Sequence, residues 1–335
     1  MPRILVVGMA QRGHVGSFFL EAARSTGKEA RLEDAKDAFE AATWRRRVNW
    51  WLRGHRPADL AGFSQRVLNV AEEFGADIVI ATGLAPLDVA CISALRQKQT
   101  ITVNYSTDDP WNPRQRGRWF LDTLPHYTAI FTPRRSNVSD FSSHGCKNVY
   151  YLPFAYEPSL HFVERPTVEE EKNFAADVVF AGGADRERLP LLKALIETGL
   201  RVDLYGAYWG REPATRARWK GHAEPQTLRK AIAAAKVCPC LVRRANRDGH
   251  AMRSYEVPAI GGVILAEATD DHKEMFGEEG ALYFRDIPEM ITKAKWLIAH
   301  QADARQMAEC ARVRVTAGPN TYRDRLETIL AMCLS

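Results

Sequence analysis

The sequence predicts a two-domain α/β protein, and three observations support that prediction. Its 335 residues exceed the ~100–150 residues at which single domains are commonest. Short apolar runs alternate with amphipathic segments, which is typical of buried parallel strands separated by helices. A proline-rich stretch at residues 153–166 interrupts this pattern and is predicted to be the linker and hinge between the domains.

The strand candidates divide into two groups on either side of this linker. Those of the first half are residues 4–8, 77–81, 100–104, 128–132 and 149–152. Those of the second half are residues 177–181, 201–205, 237–241, 263–266 and 281–284. The predicted domains are residues 1–155 and 156–319, followed by a C-terminal helix at 320–335 that carries an apolar stripe. Parallel sheets bind ligands at the carboxyl ends of their strands, so we expect a site in a common cleft.

Composition excludes several protein classes. The chain is 46% hydrophobic and 26% charged, as in ordinary globular proteins. Its net charge of +5 lacks the clustering typical of nucleic-acid binders, so no nucleic-acid partner is expected. Six cysteines form no disulfide-rich or metal-binding pattern, which predicts a reducing compartment and no metal site. No signal peptide or membrane-spanning run is recognisable, which predicts a cytoplasmic location.

A glycine-rich loop follows the first strand and contains Gly13, His14, Gly16 and Ser17. Glycines let the backbone approach a ligand, and the following helix would offer free N–H groups. The spacing is not GxGxxG, so an ordinary tight turn remains an alternative. His14 is a candidate acid/base, although it would also fit a solvated loop.

Asp109 follows the strand candidate at 100–104, where side chains of such sheets reach the ligand. With Asp108 it could serve as a base or hold a metal. The alternative is a turn in which the aspartate accepts backbone N–H groups ahead of Pro110.

The second domain opens with a strand, then Gly182 and Gly183, then Arg188 at the start of a helix. An arginine in this position can bind a diphosphate through two hydrogen bonds while backbone N–H groups share the charge. The alternative for such an arginine is an ordinary surface position.

The stretch from residue 243 to 267 is the richest in chemically active side chains. Asp248 and Glu256 are separated by seven residues, and Arg253 and Ser254 lie between them. A carboxylate at Glu256 can accept hydrogen bonds from both hydroxyls of a ribose while Arg253 faces phosphates. Alternatively, Glu256 only complements the dipole of its helix.

These motifs together resemble the CgeB-like (spore-maturation protein) branch of the group-1 glycosyltransferases. The resemblance rests on residues 107–111, 129–132, 145–155, 177–183, 188, 204–209, 253–262 and 321–326. It implies the GT-B fold, in which two Rossmann-like domains face a central cleft and the C-terminal helix crosses back to the first domain. It also implies a UDP-sugar donor, no required cofactor or metal, and retention of anomeric configuration.

The resemblance assigns roles to individual residues. Glu256 matches the second acid of the Glu-x₇-Glu motif, which holds the nucleotide ribose. Asp248 takes the place of the first acid, near the sugar, and Arg188 matches the arginine at the diphosphate. In the same way, the loop from Gly13 to Gly16 matches the first-domain loop at the diphosphate, and Tyr205 lies within a matching donor-side block. With Arg253, His14 and Asp109 these form the expected catalytic and donor-binding set.

Two other functions remain open from the sequence. A non-catalytic nucleotide-sugar-binding or coat-assembly protein would share the same fold. An NAD-dependent oxidoreductase would rest only on the first glycine loop, without GxGxxG or a matching acidic ribose residue. The acceptor of a transferase could be a glycan, a lipid-linked glycan, a protein or a small molecule.

Residues 44–56 combine three tryptophans with five arginines at helical spacing. Such a segment could lie on the inner, anionic membrane surface and bring the protein to a lipid-linked acceptor. The alternative is a core-facing helix with a solvated basic side.

Overall fold

The computed structural model describes residues 1–40, 48–49 and 54–334 of the chain. The described chain divides into two compact units. The first unit contains Met1–Pro153, Ala245–Arg247 and Tyr322–Ser335. The second contains Phe154–Arg244 and Asp248–Thr321.

The first unit is built on a parallel sheet that has helices on its connections. Its six described strands pair in the order β2-β1-β3-β4-β5-β6. In chain order the elements are β1 (Ile4–Gly8), α1 (Val15–Ser25), β2 (Ala30–Asp34), α2 (Leu60–Phe74), β3 (Ile78–Thr82), α3 (Val89–Gln97), β4 (Ile101–Tyr105), α4 (Arg118–Leu121), β5 (Ala129–Thr132), α5 (Arg135–Ser143) and β6 (Val149–Tyr151).

The second unit repeats this architecture with five described strands. They pair in parallel in the order β11-β10-β9-β7-β8. The elements are α6 (Val168–Phe174), β7 (Ala176–Ala181), α7 (Arg188–Glu197), β8 (Val202–Tyr205), α8 (Pro213–Arg216), α9 (Pro225–Ala233), β9 (Ala235–Cys240), α10 (Arg253–Ile260), β10 (Ile264–Glu267), α11 (Asp270–Gly280), β11 (Leu282–Phe284), α12 (Ile287–Ala299) and α13 (Gln301–Ala317).

Local sequence signals explain where many helices begin and end. Asp88 caps α3 by accepting the N–H of Cys91 at 2.9 Å, and Asp286 caps α12 through Glu289 N–H at 2.9 Å. Helix α2 ends at Gly75, whose φ of 61° is the left-handed conformation that favours glycine. Short polar residues at these ends therefore position the longer apolar elements.

The prediction of two parallel-sheet α/β domains is confirmed. All ten predicted strands are present, most within one residue of their expected limits. Strand β2 was missed because its sequence, Ala-Arg-Leu-Glu-Asp, has no continuous apolar run. Its residues are half-buried or exposed because it lies at the edge of the sheet, so periodicity does not identify it.

The segment predicted as a linker is packed rather than loose. The division between the units falls after Pro153, and residues 154–166 belong to the second unit. Phe154, Tyr156, Leu160 and His161 are each at most 8% exposed. Proline content alone does not reveal burial, because apolar side chains between prolines can still be anchored. The role of this segment as a hinge stays a prediction.

The C-terminal helix α14 (Tyr322–Leu334) belongs to the first unit, in line with the expected fold class. Tyr322 is fully buried and stacks on Phe18 of α1, with 4.6 Å between ring centroids. The Arg325 guanidinium donates from Nε to the Pro153 carbonyl oxygen at 2.8 Å. The predicted apolar stripe of this helix therefore packs on α1.

The membrane-surface hypothesis for residues 44–56 falls mostly outside the described residues. Within the part of the chain that the structure describes, no helix has the length and apolarity needed to cross a membrane.

Candidate functional site

The strand order of the second unit predicts where a ligand binds. After β7 the chain continues to β8 on one side of the sheet, and after the adjacent β9 it continues to β10 on the other side. The connections after β7 and β9 therefore diverge, which opens a crevice at the carboxyl ends of these two strands. The residues that follow them, 182–188 and 241–243, form its walls.

Arg188 joins the two strand ends. It is 7% exposed and donates from Nη1 to the Gly183 carbonyl oxygen and from Nη2 to that of Leu241, both at 3.3 Å. Its Nε lies 3.7 Å from Asp185, too far for a hydrogen bond, and has no hydrogen-bond partner among the described residues. The guanidinium therefore keeps one buried N–H group for a further acceptor.

The charge of Arg188 is held in an unfavourable environment. Burial, with the nearby positive charge of Arg243, lowers the pKa of Arg188 to about 10. The side chain is still protonated at neutral pH, and its buried charge favours a negatively charged ligand. Helix α7 begins at Arg188, but the N–H groups of its first turn are occupied, since those of Glu187 and Arg188 donate to Asp185 Oδ1 at 2.9 Å and that of Leu189 to the Asp185 carbonyl at 3.0 Å.

The turn after β7 lies so close to the end of the neighbouring strand β8 that the residue following β8 must be glycine. Gly206, directly after β8, has a φ of 129°, and a Cβ there would lie 2.4 Å from the Gly182 carbonyl oxygen. Gly182 N–H donates to the Tyr205 carbonyl at 2.8 Å, which keeps these strand ends together. The Tyr205 side chain is buried in the core, and burial with the nearby Asp203 raises its pKa to about 12.

Glu256 lies in the first turn of α10 and is only 1% exposed. Its carboxylate forms an ion pair with Arg253 through Oε2, and His161 Nε2 lies 3.8 Å from Oε1. Oε1 has no hydrogen-bond partner among the described residues, and Oε2 has only the ion pair with Arg253. Buried polar atoms are nearly always hydrogen-bonded, so this incompletely bonded carboxylate is a candidate for ligand binding.

Arg253 connects this carboxylate to the crevice. Its Nε donates to the carbonyl oxygen of Ala181, the last residue of β7, at 3.2 Å. Its side chain remains 35% exposed. The structure therefore brings the predicted residues Gly182, Gly183, Arg188, Arg253 and Glu256 together around the carboxyl end of β7.

Ser254 and Asp248 have mainly internal partners. Ser254 is fully buried, accepts Ala251 N–H at 3.1 Å and bonds to His272 Nε2 at 2.8 Å. Asp248 Oδ2 accepts Arg243 N–H at 3.3 Å, which closes the turn before α10. These contacts hold α10 and its preceding turn, and the donor-binding roles of both residues stay predictions.

His161 is a candidate that the sequence did not single out. It lies in the segment interpreted as a linker, and its Nδ1 accepts the N–H of Glu157 at 3.0 Å. Burial, together with the charges of Arg253 and Arg229, lowers its pKa to about 3. The only feature of the sequence that could have indicated its burial was the nearby pair of apolar residues, Tyr156 and Leu160.

In the first unit the glycine loop serves mainly to pack α1 on β1. A Cβ at Gly16 would lie 2.8 Å from the Met9 carbonyl oxygen, and Gly13 has a φ of 93°. Ser17 Oγ donates to the His14 carbonyl at 2.7 Å, and the exposed His14 is the N-cap residue of α1. These contacts fit the tight-turn alternative, and the acid/base role of His14 is untested.

Asp109 is 1% exposed, and its carboxylate is occupied. Oδ1 accepts Trp111 N–H at 3.0 Å and Asn137 Nδ2 at 3.1 Å, while Oδ2 accepts Arg247 Nε at 2.7 Å. All four residues belong to the first unit. The geometry matches the turn alternative, since a base needs a free oxygen.

Two further features of the described residues concern metal ligands and a cavity. They contain no group of three or more histidine, cysteine or acidic side chains arranged to hold a metal. A cavity of about 560 Å³ is lined by Arg186, Leu191, Val242, Glu267 and Ile287, among others. None of the predicted site residues lines this cavity. The acceptors of Glu267 are already used by Val242 N–H at 2.7 Å and by Arg244 at 3.3 Å.

In comparisons with known proteins, the family match falls mainly in the second unit. Residues 186–331 match a family model described as glycosyl transferase-like. This match includes α7 and α10, and with them Arg188, Arg253 and Glu256. No curated protein sequence matches the chain significantly.

Several solved structures share the fold over nearly the whole chain. Sucrose-phosphate synthase from Thermosynechococcus elongatus has a TM-score of 0.70 at 12% identity, covering 99% of this chain and 98% of its own. HepE from Anabaena, solved with UDP-glucose, has a TM-score of 0.67 at 11% identity and 99% and 100% coverage. A UDP-forming α,α-trehalose-phosphate synthase from Burkholderia vietnamiensis gives 0.67 at 13% identity, with 98% and 99% coverage. These likenesses establish the GT-B fold.

Proposed function

We propose that this protein is a glycosyltransferase that binds a UDP-sugar in its second unit and transfers the sugar to an acceptor. The match to the glycosyl transferase-like family over residues 186–331 supports this proposal. So does the fold shared with HepE, which was solved with UDP-glucose. The observation that carries it is the buried carboxylate of Glu256, which among the described residues has an ion pair with Arg253 at Oε2 but no hydrogen-bond donor at Oε1.

The chemistry of Glu256 suits a ribose. A carboxylate presents two acceptors about 2.2 Å apart, and the adjacent 2′ and 3′ hydroxyls supply two donors at a similar spacing. Hydrogen bonds to a charged group each contribute ~1.5–3 kcal/mol, so a diol would offset the cost of burying these oxygens. A role limited to the helix dipole would not require the carboxylate to be buried.

Arg188 and Arg253 suit the diphosphate. When the bond between the anomeric carbon and the diphosphate oxygen breaks, negative charge develops on the departing nucleoside diphosphate. The unpartnered Nε of Arg188 and the exposed part of Arg253 can each meet that charge. These groups carry the proposed catalytic role without a metal.

The finer features of the proposal follow from the family resemblance. We propose that transfer retains the anomeric configuration and takes place in the cytoplasm, with Asp248 near the sugar. The glycine loop of the first unit, with Gly13, His14, Gly16 and Ser17, is proposed to contact donor or acceptor groups. An NMR assignment of the product anomer checks the stereochemistry.

A second candidate is a nucleotide-sugar-binding protein without turnover. It is favoured by one observation, which is that the family match at residues 186–331 covers most of the second unit but only residues 245–247 and 322–331 of the first. The occupied carboxylate of Asp109 also leaves no evident base at that position.

A thermal-shift panel tests the proposal. UDP-sugars, GDP-, dTDP- and CMP-sugars and NAD are added at graded concentrations. A ligand present at 100 times its Kd stabilises the folded protein by about 2.7 kcal/mol, which raises Tm measurably. We expect stabilisation by UDP and UDP-sugars and none by NAD. Stabilisation by NAD alone would contradict the proposal.

Release of UDP from the stabilising donor then separates the two candidates. A purified transferase should release UDP slowly with water as acceptor, and faster with a mixture of glycan acceptors. The Arg188→Ala variant is the control for contaminating activity. Binding of UDP-sugar without any release above this control would favour the binding protein.

A further inference from the structure

We propose that His161 is a positioning residue whose Nε2–H orients the Glu256 carboxylate toward the ribose hydroxyls. This inference rests on the proposed function, because it concerns how the donor site is prepared. The two side chains are 4% and 1% exposed, and 3.8 Å separates His161 Nε2 from Glu256 Oε1. Arg253 contacts the other oxygen, so the carboxylate lies between two different partners.

The hydrogen bonds of the imidazole determine which nitrogen carries the proton. Nδ1 accepts the N–H of Glu157 at 3.0 Å, so Nδ1 is unprotonated. A neutral imidazole has one N–H, which must then be on Nε2, the atom that faces Glu256. The ring therefore offers a donor to the carboxylate and not a second acceptor.

A network of contacts keeps the ring in place. The backbone N–H of His161 donates to the Glu157 carbonyl at 2.8 Å, which closes a short turn. Arg229 donates to the Leu160 carbonyl at 2.9 Å and pairs with Glu164 at 2.7 Å. It also lies over the ring of Phe162, 4.1 Å from the centroid. The segment that bears His161 is thus fastened to the second unit on both sides of the histidine.

The neutral state of His161 matters for the carboxylate. Burial and the positive charges of Arg253 and Arg229 keep the imidazole uncharged at physiological pH. An uncharged donor can fix the orientation of Glu256 without neutralising it. The carboxylate therefore keeps its negative charge for the ribose hydroxyls, which bind more strongly to a charged acceptor.

Two substitutions separate this role from a purely structural one. His161→Asn keeps an acceptor near the position of Nδ1, so it can still bind Glu157 N–H, but it removes the donor at Nε2. His161→Gln places an amide N–H near the position of Nε2, but it removes the acceptor for Glu157. His300→Asn, at an exposed histidine of the same unit, is the control.

The readout is the affinity for UDP compared with that for 2′,3′-dideoxyuridine diphosphate, measured by calorimetry. We expect His161→Asn to reduce the preference for UDP about 10-fold, because the N–H that faces the charged carboxylate and orients it is lost. His161→Gln should retain at least half of the preference, although its Tm falls. His300→Asn should match the wild type.

The opposite pattern would overturn the inference. If His161→Asn keeps the full preference, His161 serves only the turn at Glu157. If His161→Gln loses the preference as completely as His161→Asn, an amide donor does not orient Glu256 and the inference is also wrong. Failure of the proposed function looks different, since the wild type itself would then not prefer UDP over the dideoxy analogue.

Discussion

The first five strands of each unit pair in the same order, but the turn at the carboxyl end of the first strand differs between the two units. In the first unit, Gly16 brings α1 against β1, and the exposed His14 begins the helix. In the second unit, the corresponding turn leads to the buried Arg188, which has an unpartnered N–H. One topology thus supports close packing in one unit and a buried charge with an unpartnered N–H in the other.

The buried carboxylates show the same difference more sharply. Asp109 and Glu256 are each 1% exposed. Asp109 receives three hydrogen bonds from its own unit, whereas Glu256 has an ion pair with Arg253 at one oxygen and no hydrogen-bond partner among the described residues at the other. A fully bonded buried carboxylate maintains the fold, and an incompletely bonded one is a candidate to bind a ligand. From the sequence, Glu256 was the predicted ribose ligand and Asp109 a possible base.

The matched substitutions Glu256→Gln and Asp109→Asn test this comparison directly. Both replace a carboxylate by an amide of the same shape. We expect Glu256→Gln to weaken UDP binding ~10- to 1,000-fold, because charge-assisted hydrogen bonds to the ribose are lost. Asp109→Asn should leave the Kd within about twofold and lower the free energy of unfolding by ~1–3 kcal/mol, since Arg247 loses one of its two carboxylate partners and keeps only Asp140.

Calorimetry with UDP and urea unfolding supply the two measurements for both variants. Equal losses of affinity in the two variants would contradict the division between a binding and a structural carboxylate. An unchanged Kd in Glu256→Gln would remove the ribose assignment itself.

Acid should destabilise the second unit before the first. The buried histidines of the described chain, His161, His250 and His272, all belong to the second unit. Burial lowers the pKa of His161 to about 3 and that of His272 to about 4. The unfolded chain takes up these protons near pH 6.5, so stability is complete above that pH and falls as the pH decreases.

Each of these two histidines should cost about 3 kcal/mol of stability between pH 6.5 and pH 4. Hydrogen exchange followed by mass spectrometry at pH 7 and pH 4.5 reports on each unit separately, after correction for the intrinsic rate. We expect loss of protection in the second unit first, and a shallower pH dependence in His272→Gln. Earlier loss in the first unit would contradict the prediction.

A third comparison uses two arginines on the same turn. Arg188→Lys should reduce the gain in affinity from uridine to UDP about 10- to 50-fold, because an ammonium group cannot both reach the strand carbonyls and present a free N–H. The exposed Arg186 is the control, and Arg186→Lys should leave that gain unchanged. Calorimetric titration of both ligands into both variants gives the ratio. Identical ratios for the two variants would place the diphosphate elsewhere.

The smallest expected effect concerns the glycine loop of the first unit. In Gly16→Ala the new methyl would lie 2.8 Å from the Met9 carbonyl oxygen, so α1 must move away from β1. We expect a loss of about 1–2 kcal/mol in the free energy of unfolding and unchanged UDP affinity. Urea unfolding and calorimetry check both points, and a large loss of affinity would assign the loop to the ligand.

Much of the fold was predictable from the sequence, since buried strands of a parallel sheet consist of continuous apolar runs. Runs such as 4–8 and 177–181 were recognised for this reason. The edge strand β2 was not, because a strand exposed on one side needs no such run. The burial of residues such as Phe154 and His161 was not visible either, because prolines suggest a linker whatever surrounds them.

For the candidate site, the sequence predicted the residues but not the contacts between them. Gly182, Gly183, Arg188, Arg253 and Glu256 were identified because glycine turns, helix starts and charged side chains have recognisable spacing. Their relation to one another was not visible, since Ala181 and Arg253 are 72 residues apart and meet only through a hydrogen bond. His161 could not be found because its partner Glu256 is distant in the chain.

By itself, then, the sequence determined the α/β class, the two groups of strands and the residue types available at each strand end, because these depend on local periodicity and turn chemistry. Only the tertiary structure decided which charged side chains have a full set of hydrogen-bond partners. Burial and hydrogen bonding depend on atoms from distant segments, so Asp109 and Glu256 differ through their surroundings and not through their own residue type.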